Sequence, residues 1–328
     1  MNQPPIRWGI LGTGSIARSF TQDLKLHPSA QVVAVGSRAP ETATRFAQEF
    51  NIPHAYGSYE ELAYAPGVDV IYVCTPHAFH RENAELCLLG GKAVLCEKAF
   101  TINSNEAAEV IAIARKSKLY LMEAMWTRFL PVIIKVREWL GQGKIGAIRM
   151  LKSDFGFRAA WEPEKRWLNP ALGGGALLDV GVYPVSLASM IFGEAPIHIK
   201  SLAHLGATGV DEQNALIFEY QTGALALLSS AVQTNTQKDT YIYGTAGYIH
   251  IPGTWWAKSA FLWQNETLVE TCQAPYTGNG YYHEAAAVMA DLRSGKLEND
   301  LIPLDETLAV IKTLDEIRAQ WGFRYPTE

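Results

Sequence analysis

The sequence is short of the features that mark several protein classes, and each shortage narrows the field. Among its 328 residues only four are cysteine, Cys74, Cys87, Cys96 and Cys272, and none forms a CxxC pair. That argues against a disulfide scaffold or a zinc knuckle and for reduced thiols in a core, since three of them sit in or beside apolar runs. No stretch concentrates Lys and Arg. The 28 basic residues against 33 acidic ones leave a formal charge of −5, so no electrostatic footprint for nucleic acid is present. No apolar run reads as long enough to span a bilayer. The opening MNQPPIRWGILG lacks the charged and apolar regions of a secretory signal and leads straight into a strand. Internal repeats and low-complexity linkers are also missing. These absences predict a soluble, cytoplasmic protein with neither nucleic acid nor membrane as a partner.

What is present is a globular balance, 48% apolar and 19% charged residues, in a chain long enough for two domains. The first third alternates short apolar strands (6–11, 31–36, 69–75, 93–96, 119–122) with helices (16–26, 39–50, 80–89, 103–117). Such alternation implies a parallel sheet covered on both faces. After about residue 124 the pattern changes. A helix over 131–140 and an alternating strand over 148–158 precede a glycine-started apolar helix over 173–192. Consecutive strands then fill 197 to about 270, and helices return at 282–294 and 305–320. That order describes an α+β domain on a large, mostly antiparallel open sheet.

The first strand runs into Gly12-Thr13-Gly14-Ser15-Ile16-Ala17, a G-x-G-x-x-A turn that opens a helix. The spacing is weak evidence alone, but strand, turn and helix are its confirming context. Gly12 permits the tight turn, Gly14 lets the backbone approach a pyrophosphate, and Ala17 lets helix and strand pack closely. The helix N-terminus then offers N–H groups and partial positive charge to the phosphates. The expected fold class is therefore α/β, with a doubly wound Rossmann domain over 1–123 and a substrate-binding and oligomerisation domain over 124–328. Where an acidic residue would hold the ribose of NAD, the second strand ends in Ser37-Arg38. An arginine there pairs with a 2′-phosphate, which predicts NADP as the preferred cofactor, with NAD as the alternative. The next strand ends in Thr75-Pro76-His77, with His80 following. In a doubly wound sheet these residues face the ligand crevice. No further Cys, His or acid has suitable spacing for a metal, so none is expected.

A second group follows at Cys96-Glu97-Lys98-Ala99, again where a strand should open at the carboxyl edge of the sheet. A lysine there can polarise a substrate oxygen or help a neighbouring acid ionise. Far along the chain, GGGALLDVGVY places Asp179 and Tyr183 four residues apart on an apolar helix. Two polar groups on one such face need a cleft or buried partners.

With these pieces together the chain resembles the Gfo/Idh/MocA family of oxidoreductases from Arg7 to about Gly322. Glu97-Lys98 match its E-K-P motif, and Gly174 to Tyr183 match its G-G-x-x-x-D-x-G-x-H motif. The runs RWGIL, AYGSYEELA, GKAVLCEK, LMEAMWTRF and GGALLDVGVY resemble the family's dimeric dihydrodiol dehydrogenase branch, which also acts as NADP-dependent D-xylose dehydrogenases. Two positions depart from the family pattern. Ala99 replaces the motif proline, and since a cis bond before a residue other than proline costs ~3 kcal/mol, a different local backbone is expected there. Tyr183 replaces the usual histidine, as it does in that branch.

The resemblance implies hydride transfer between nicotinamide and a carbinol carbon of a sugar, polyol or trans-dihydrodiol. It places Lys98, Asp179 and Tyr183 at the nicotinamide, with either Tyr183 or Lys98 as the proton-transfer group. It further implies cofactor contacts from Gly12, Thr13, Gly14, Ser15, Ile16, Ser37, Arg38, Thr75, Pro76, His80, Glu97 and Lys98. Substrate contacts are expected from Trp126, Phe155, Arg158 and Trp161, with Phe157 read as a core aromatic. A homodimer or homotetramer through the large sheet is implied as well. A keto-sugar reductase, or a non-catalytic regulator responsive to the dinucleotide, are the competing readings. A pure binder has no need of Lys98 together with Asp179 and Tyr183.

Overall fold

The computed structural model describes residues 4–328; Met1–Gln3, part of the opening stretch read above, lie outside the described residues. The chain divides into two compact units, 1–126 with 277–308, and 127–276 with 309–328. The expected boundary at 123/124 places 277–308 in the second domain, but that segment groups with the first unit.

The first unit is built on a six-stranded parallel sheet. Its strands are β1 (Ile6–Leu11), β2 (Ala30–Gly36), β3 (His54–Tyr56), β4 (Val70–Val73), β5 (Ala93–Glu97) and β6 (Leu121–Ala124), in the order β3-β2-β1-β4-β5-β6. The strand order reverses between β1 and β4, which makes a switch point where ligands bind outside the carboxyl ends. Helices α1 (Ser15–Leu24), α2 (Pro40–Phe50), α3 (Tyr59–Ala63), α4 (His80–Leu89) and α5 (Ser104–Ser117) connect the strands. The short β3 and α3 do not emerge from periodicity, because three and five residues are too few to show one. The central strands β4 and β5 are buried at every position, as expected for a sheet covered on both faces.

Several groups tie the later segment of this unit to the rest, among them Tyr120, whose hydroxyl donates to Asp291, and one acid on α1. Asp23 on α1 accepts from the Asn279 backbone N–H at 2.8 Å, the Asn279 side-chain amide at 3.0 Å and the Tyr281 N–H at 2.9 Å. Gly278 approaches so closely (φ +74°) that a Cβ would stand 2.3 Å from Asp23 Oδ1.

The second unit holds an eight-stranded sheet. Its strands are β7 (Ile148–Gly156), β8 (His198–Leu205), β9 (Asp211–Glu219), β10 (Leu225–Ala231), β11 (Thr240–Gly244), β12 (Tyr248–Ile251), β13 (Ser259–Gln264) and β14 (Thr267–Gln273), in the order β14-β13-β12-β11-β7-β10-β9-β8. All neighbours are antiparallel except β7 and β10. One face is covered and the other carries large apolar groups, including Leu202, Ile217 and Leu227.

Helix α6 (Pro131–Gly141) precedes this sheet. The glycine-started helix is not regular. Leu177–Gly181 forms a π turn that continues as α7 (Val182–Phe192). Pro184 has no N–H to give the carbonyl four residues back, which is where an α-helical ladder would fail. The stretch Pro170–Phe192, contrary to the reading that no run is long enough, matches a membrane span in length, and an 18-residue window within it has a mean hydropathy of 1.6. Of that window 83% is buried inside the protein, so its apolarity is that of a core helix. Helices α8 (Tyr282–Ser294) and α9 (Leu304–Gln320) follow.

Candidate active site

The dinucleotide turn has the geometry its sequence calls for. Gly12 sits at φ +114°, where a Cβ would press to 3.1 Å from the Cys74 carbonyl. At Gly14 an added Cβ would meet nothing within 4 Å, so the backbone there faces open space. Helix α1 begins at the next residue with no side chain capping it, and Ala17 is fully buried beneath. Open space against uncapped N–H groups is the cradle a pyrophosphate fits. Gly14 and Ser15 are exposed, and Thr13 and Ile16 are half-buried.

The two residues after β2 part company. Ser37 is buried and its hydroxyl pairs with Thr42 Oγ1 at 2.6 Å, so it shapes the loop from inside. Arg38 is exposed, with its guanidinium 5.8 Å from the Phe79 ring centroid. A cleft of about 490 Å³ opens here, lined by Arg38, Ser58, Tyr59, Thr75, Pro76 and Phe79 among others. Burial pushes the Tyr59 phenol above its ordinary value, and the neighbouring Arg38 opposes that. Sequence reasoning missed Tyr59 and Phe79. Their signal was only local: Tyr59 opens α3, and Phe79 immediately precedes α4.

Because β1, β4 and β5 are adjacent and parallel, the glycine turn, Thr75-Pro76 and Lys98 all emerge along one edge of the sheet. Lys98 is half-buried there, and the Lys98–Ala99 peptide is cis. The expectation of a different backbone at Ala99 is thus overturned. Two side chains hold the segment: His80 Nδ1 lies 2.9 Å from the Ala99 carbonyl, and Glu123 accepts from Phe100 N–H at 3.2 Å. His80 Nε2 lies 2.8 Å from the Thr75 carbonyl.

The expected cofactor contact from His80 is corrected by this geometry. The ring is fully buried between two backbone carbonyls and turned away from any ligand; in its neutral form it has one N–H and donates to one of the two. Burial drives its pKa down to about 4 against the opposing pull of the Ala99 and Thr75 carbonyls, with a smaller push from the Lys98 ammonium, so it stays neutral near pH 7. His77 is also buried, edge-on to His80 at 5.6 Å between centroids. Glu97 likewise lies inside, accepting a hydrogen bond from the Tyr72 hydroxyl, and supports the strand end from below. Deeper still, the Glu284 carboxyl is fully buried and is raised well above its ordinary value, first by burial and then by Glu97 and Asp23. Trp126 closes this unit, buried with its ring 4.9 Å from Tyr281. No group of His, Cys, Asp and Glu suited to a metal occurs among the described residues.

In the second unit Asp179 lies in the π turn and Tyr183 in the first turn of α7, both buried. Asp179 pairs with Arg166, whose Nη1 stands 2.7 Å from its Oδ1. The Arg166 guanidinium also stacks over Trp167 at 3.7 Å. The Tyr183 ring packs 5.3 Å from Phe155 and 5.3 Å from Trp255. Trp256, 48% exposed, meets Phe155 edge-on at 5.4 Å. Phe155, Asp179 and Tyr183 therefore gather in one region, with Arg166, Trp255 and Trp256 as members that sequence reasoning missed. The tandem Trp255-Trp256 just after a strand was the available signal. Of the other expected substrate contacts, Arg158 is exposed beside a bridge to Gln233, and Trp161 is 52% exposed on the following loop. Phe157 packs edge-on to Trp167 at 5.3 Å.

Comparison with known proteins gives concordant results. The family described as "Oxidoreductase family, NAD-binding Rossmann fold" matches residues 6–125, and "GFO/IDH/MocA C-terminal domain" matches residues 133–250. Trans-1,2-dihydrobenzene-1,2-diol dehydrogenase of Xenopus laevis is 40% identical over 332 residues, covering 98% of this chain and 99% of the relative. The Homo sapiens protein of the same name is 36% identical with the same coverage. Among solved structures, a 3-ketoreductase from Actinomadura kijaniata in complex with NADP and TDP-benzene superposes with a TM-score of 0.85 at 26% identity, over 96% of this chain and 97% of its own. The aldose-aldose oxidoreductase of Caulobacter crescentus shares the fold, with a TM-score of 0.88 at 24% identity over 97% and 98% of the two chains.

Proposed function

The chain belongs to the GFO/IDH/MocA oxidoreductase family, and from that premise we propose that it is an NADP-dependent dehydrogenase acting on the CH–OH group of a sugar, polyol or trans-dihydrodiol. The observation that carries the reading is the sheet edge. Adjacent parallel strands bring the glycine turn, Thr75-Pro76 and Lys98 out side by side at the topological switch point. Arg38, exposed in its cleft, is the group for a 2′-phosphate and favours NADP over NAD.

Bound nicotinamide supplies the hydride acceptor. The residues of this chain supply orientation and proton chemistry. As hydride leaves the carbinol carbon, Tyr183, as a phenolate favoured by the Lys98 ammonium, takes the hydroxyl proton and becomes a phenol; an uncharged Lys98 amine is the alternative base. Asp179, held by Arg166, orients the substrate. Phe155, Trp255 and Trp256 offer flat walls to the C–H face of a sugar or to a dihydrodiol ring. A cytoplasmic location fits the reduced cysteines. A homodimer or homotetramer through the open face of the large sheet fits its exposed Leu202, Ile217 and Leu227. Reduction of a keto-sugar by the same residues run backwards is the second reading, favoured by the likeness to a 3-ketoreductase.

The test is Lys98→Met, assayed with a panel of aldoses, inositols and dihydrodiols, with NADP and NAD, by absorbance at 340 nm. Turnover should disappear while NADPH still binds, as followed by its fluorescence. A variant with near-normal kcat removes Lys98 from the chemistry. A wild-type protein inert across the panel rejects the activity.

A further inference from the structure

The helix carrying Asp179 and Tyr183 is fixed at its start by groups that play no part in the chemistry proposed above. Asp211, the first residue of β9, is buried to 1% exposure. Its Oδ2 accepts from the Leu177 N–H at 2.8 Å and from Asn214 Nδ2 at 2.8 Å. Leu177 is the first residue of the π turn that holds Asp179, and no side chain at its own N-terminus caps it. A carboxylate from 34 residues away therefore takes that place, where the partial positive charge of the helix end favours an anion.

The fit is close. Gly175 has φ +113°, and a Cβ there would stand 2.3 Å from Asp211 Oδ1. One residue earlier, the Gly174 carbonyl accepts from the Tyr325 hydroxyl at 2.6 Å. Tyr325 is buried, and the Arg318 guanidinium lies 5.0 Å from its ring centroid while pairing with Asp315 and Glu328 at 2.7 Å each. On the remaining side Gly181 lies against β10, where a Cβ would stand 2.7 Å from Ser230 Oγ. The turn is thus pinned at Gly174, Leu177 and Gly181 by three different elements.

Resting on the function proposed above, we infer that Asp211 and Tyr325 are positioning residues that set where Asp179 and Tyr183 stand. They act through the backbone of the glycine turn and touch no substrate. Misplacement of a reacting group by about 1 Å is enough to cost rate on the order of a hundredfold, so small movements at these pins reach the chemistry. Burial raises the Asp211 carboxyl to about 7, opposed by Asn214, the Leu177 N–H and Arg318. The groups acting on it or facing it are Arg318 on α9, Tyr325 beyond that helix, Asn214 on its own strand and the Leu177 amide. Asp211 is the one member of this group that changes charge below or near neutrality. Its value in the closed structure lies above that of a solvated carboxyl, so opening that hydrates it becomes easier as pH rises from about 4 to about 7, and the hold on the helix end loosens over that range.

The experiment compares full-length wild type with Asp211→Ala, Asp211→Asn and Tyr325→Phe. Hydrogen exchange by mass spectrometry reads the peptides covering 174–185 and, as an internal control, those covering 6–24. Asp211→Ala should speed exchange in 174–185 by about tenfold, the size of a lost helix cap, and leave 6–24 unchanged. Its kcat should fall by about tenfold or more at unaltered NADPH affinity. Asp211→Asn keeps an acceptor for Leu177, so it should restore protection and most of kcat, without the loss of protection that wild type shows as pH rises from about 4 to about 7. Tyr325→Phe should loosen the same peptides to a smaller degree and decides the matter if Asp211→Ala fails to fold. Unchanged exchange at 174–185 in the folded variants overturns the inference. So does a kcat within about twofold of wild type. A wild type without dehydrogenase activity would reject the proposed function instead, and the exchange data would still judge the pins.

Discussion

Replacing Arg38 with Ala isolates the cofactor choice. The guanidinium is exposed in an open cleft, so its attraction to a phosphate is partly screened by water. Two unit charges 4 Å apart attract by about 1 kcal/mol in bulk water and about 4 kcal/mol near a protein surface. A hydrogen bond to a charged group contributes roughly 1.5–3 kcal/mol. A loss of about 2 kcal/mol is the central expectation, or about thirtyfold in kcat/KM for NADP. The contact with Phe79 complicates either cofactor taken alone, because its loss disturbs the same cleft wall for both. It cancels in the ratio of the two, which leaves the phosphate term. Initial rates at 340 nm with NADP and NAD, at two ionic strengths, provide the ratio. The KM for NADP should also rise with salt in wild type more steeply than in the variant. A NADP/NAD ratio that stays within about threefold of wild type would refute the assignment of Arg38 to a 2′-phosphate.

Two further perturbations test the first unit. Neither carboxyl oxygen of Glu284 has a hydrogen-bond partner among the described residues, and its folded pKa lies above the unfolded one. The unfolded chain then ionises first as pH rises above about 4.5, so wild-type stability falls with pH by up to about 1.4 kcal/mol per unit. Glu284→Gln removes that slope, and the Tm difference between the two proteins should widen in the variant's favour from pH 4 to pH 8; parallel Tm curves contradict the buried neutral acid. Asp23→Ala strips Asn279 and Tyr281 of their acceptor. It should cost about 2–4 kcal/mol and open residues 276–281 to limited proteolysis, and an unaltered Tm and cleavage pattern would show that the segment is held by other contacts.

The sequence alone carried the architecture of the first unit, because its signals are local. Gly12 and Gly14 between an apolar strand and a helix define a turn without reference to anything distant. Apolar strands such as β4 and β5 show up as runs because both of their faces are covered. The strands of the second sheet were legible for the opposite reason, since alternation records one covered face. Lys98, Asp179 and Tyr183 also stood out locally, as polar groups in apolar surroundings.

Tertiary structure decided which of the flagged residues point outward. Ser37 and Arg38 are neighbours, yet one turns in to Thr42 and the other out to the cleft. His80, flagged as a ligand contact, is a brace between two loops. Where 277–308 returns to the first unit, Asp23 meets Asn279, 256 residues away in sequence. Arg166 beside Asp179, and Asp211 and Tyr325 at the glycine turn, were invisible for the same reason. Periodicity reports which face of a segment is apolar. It carries no information about which distant polar atom completes a buried group, and that pairing is fixed only when the chain closes on itself.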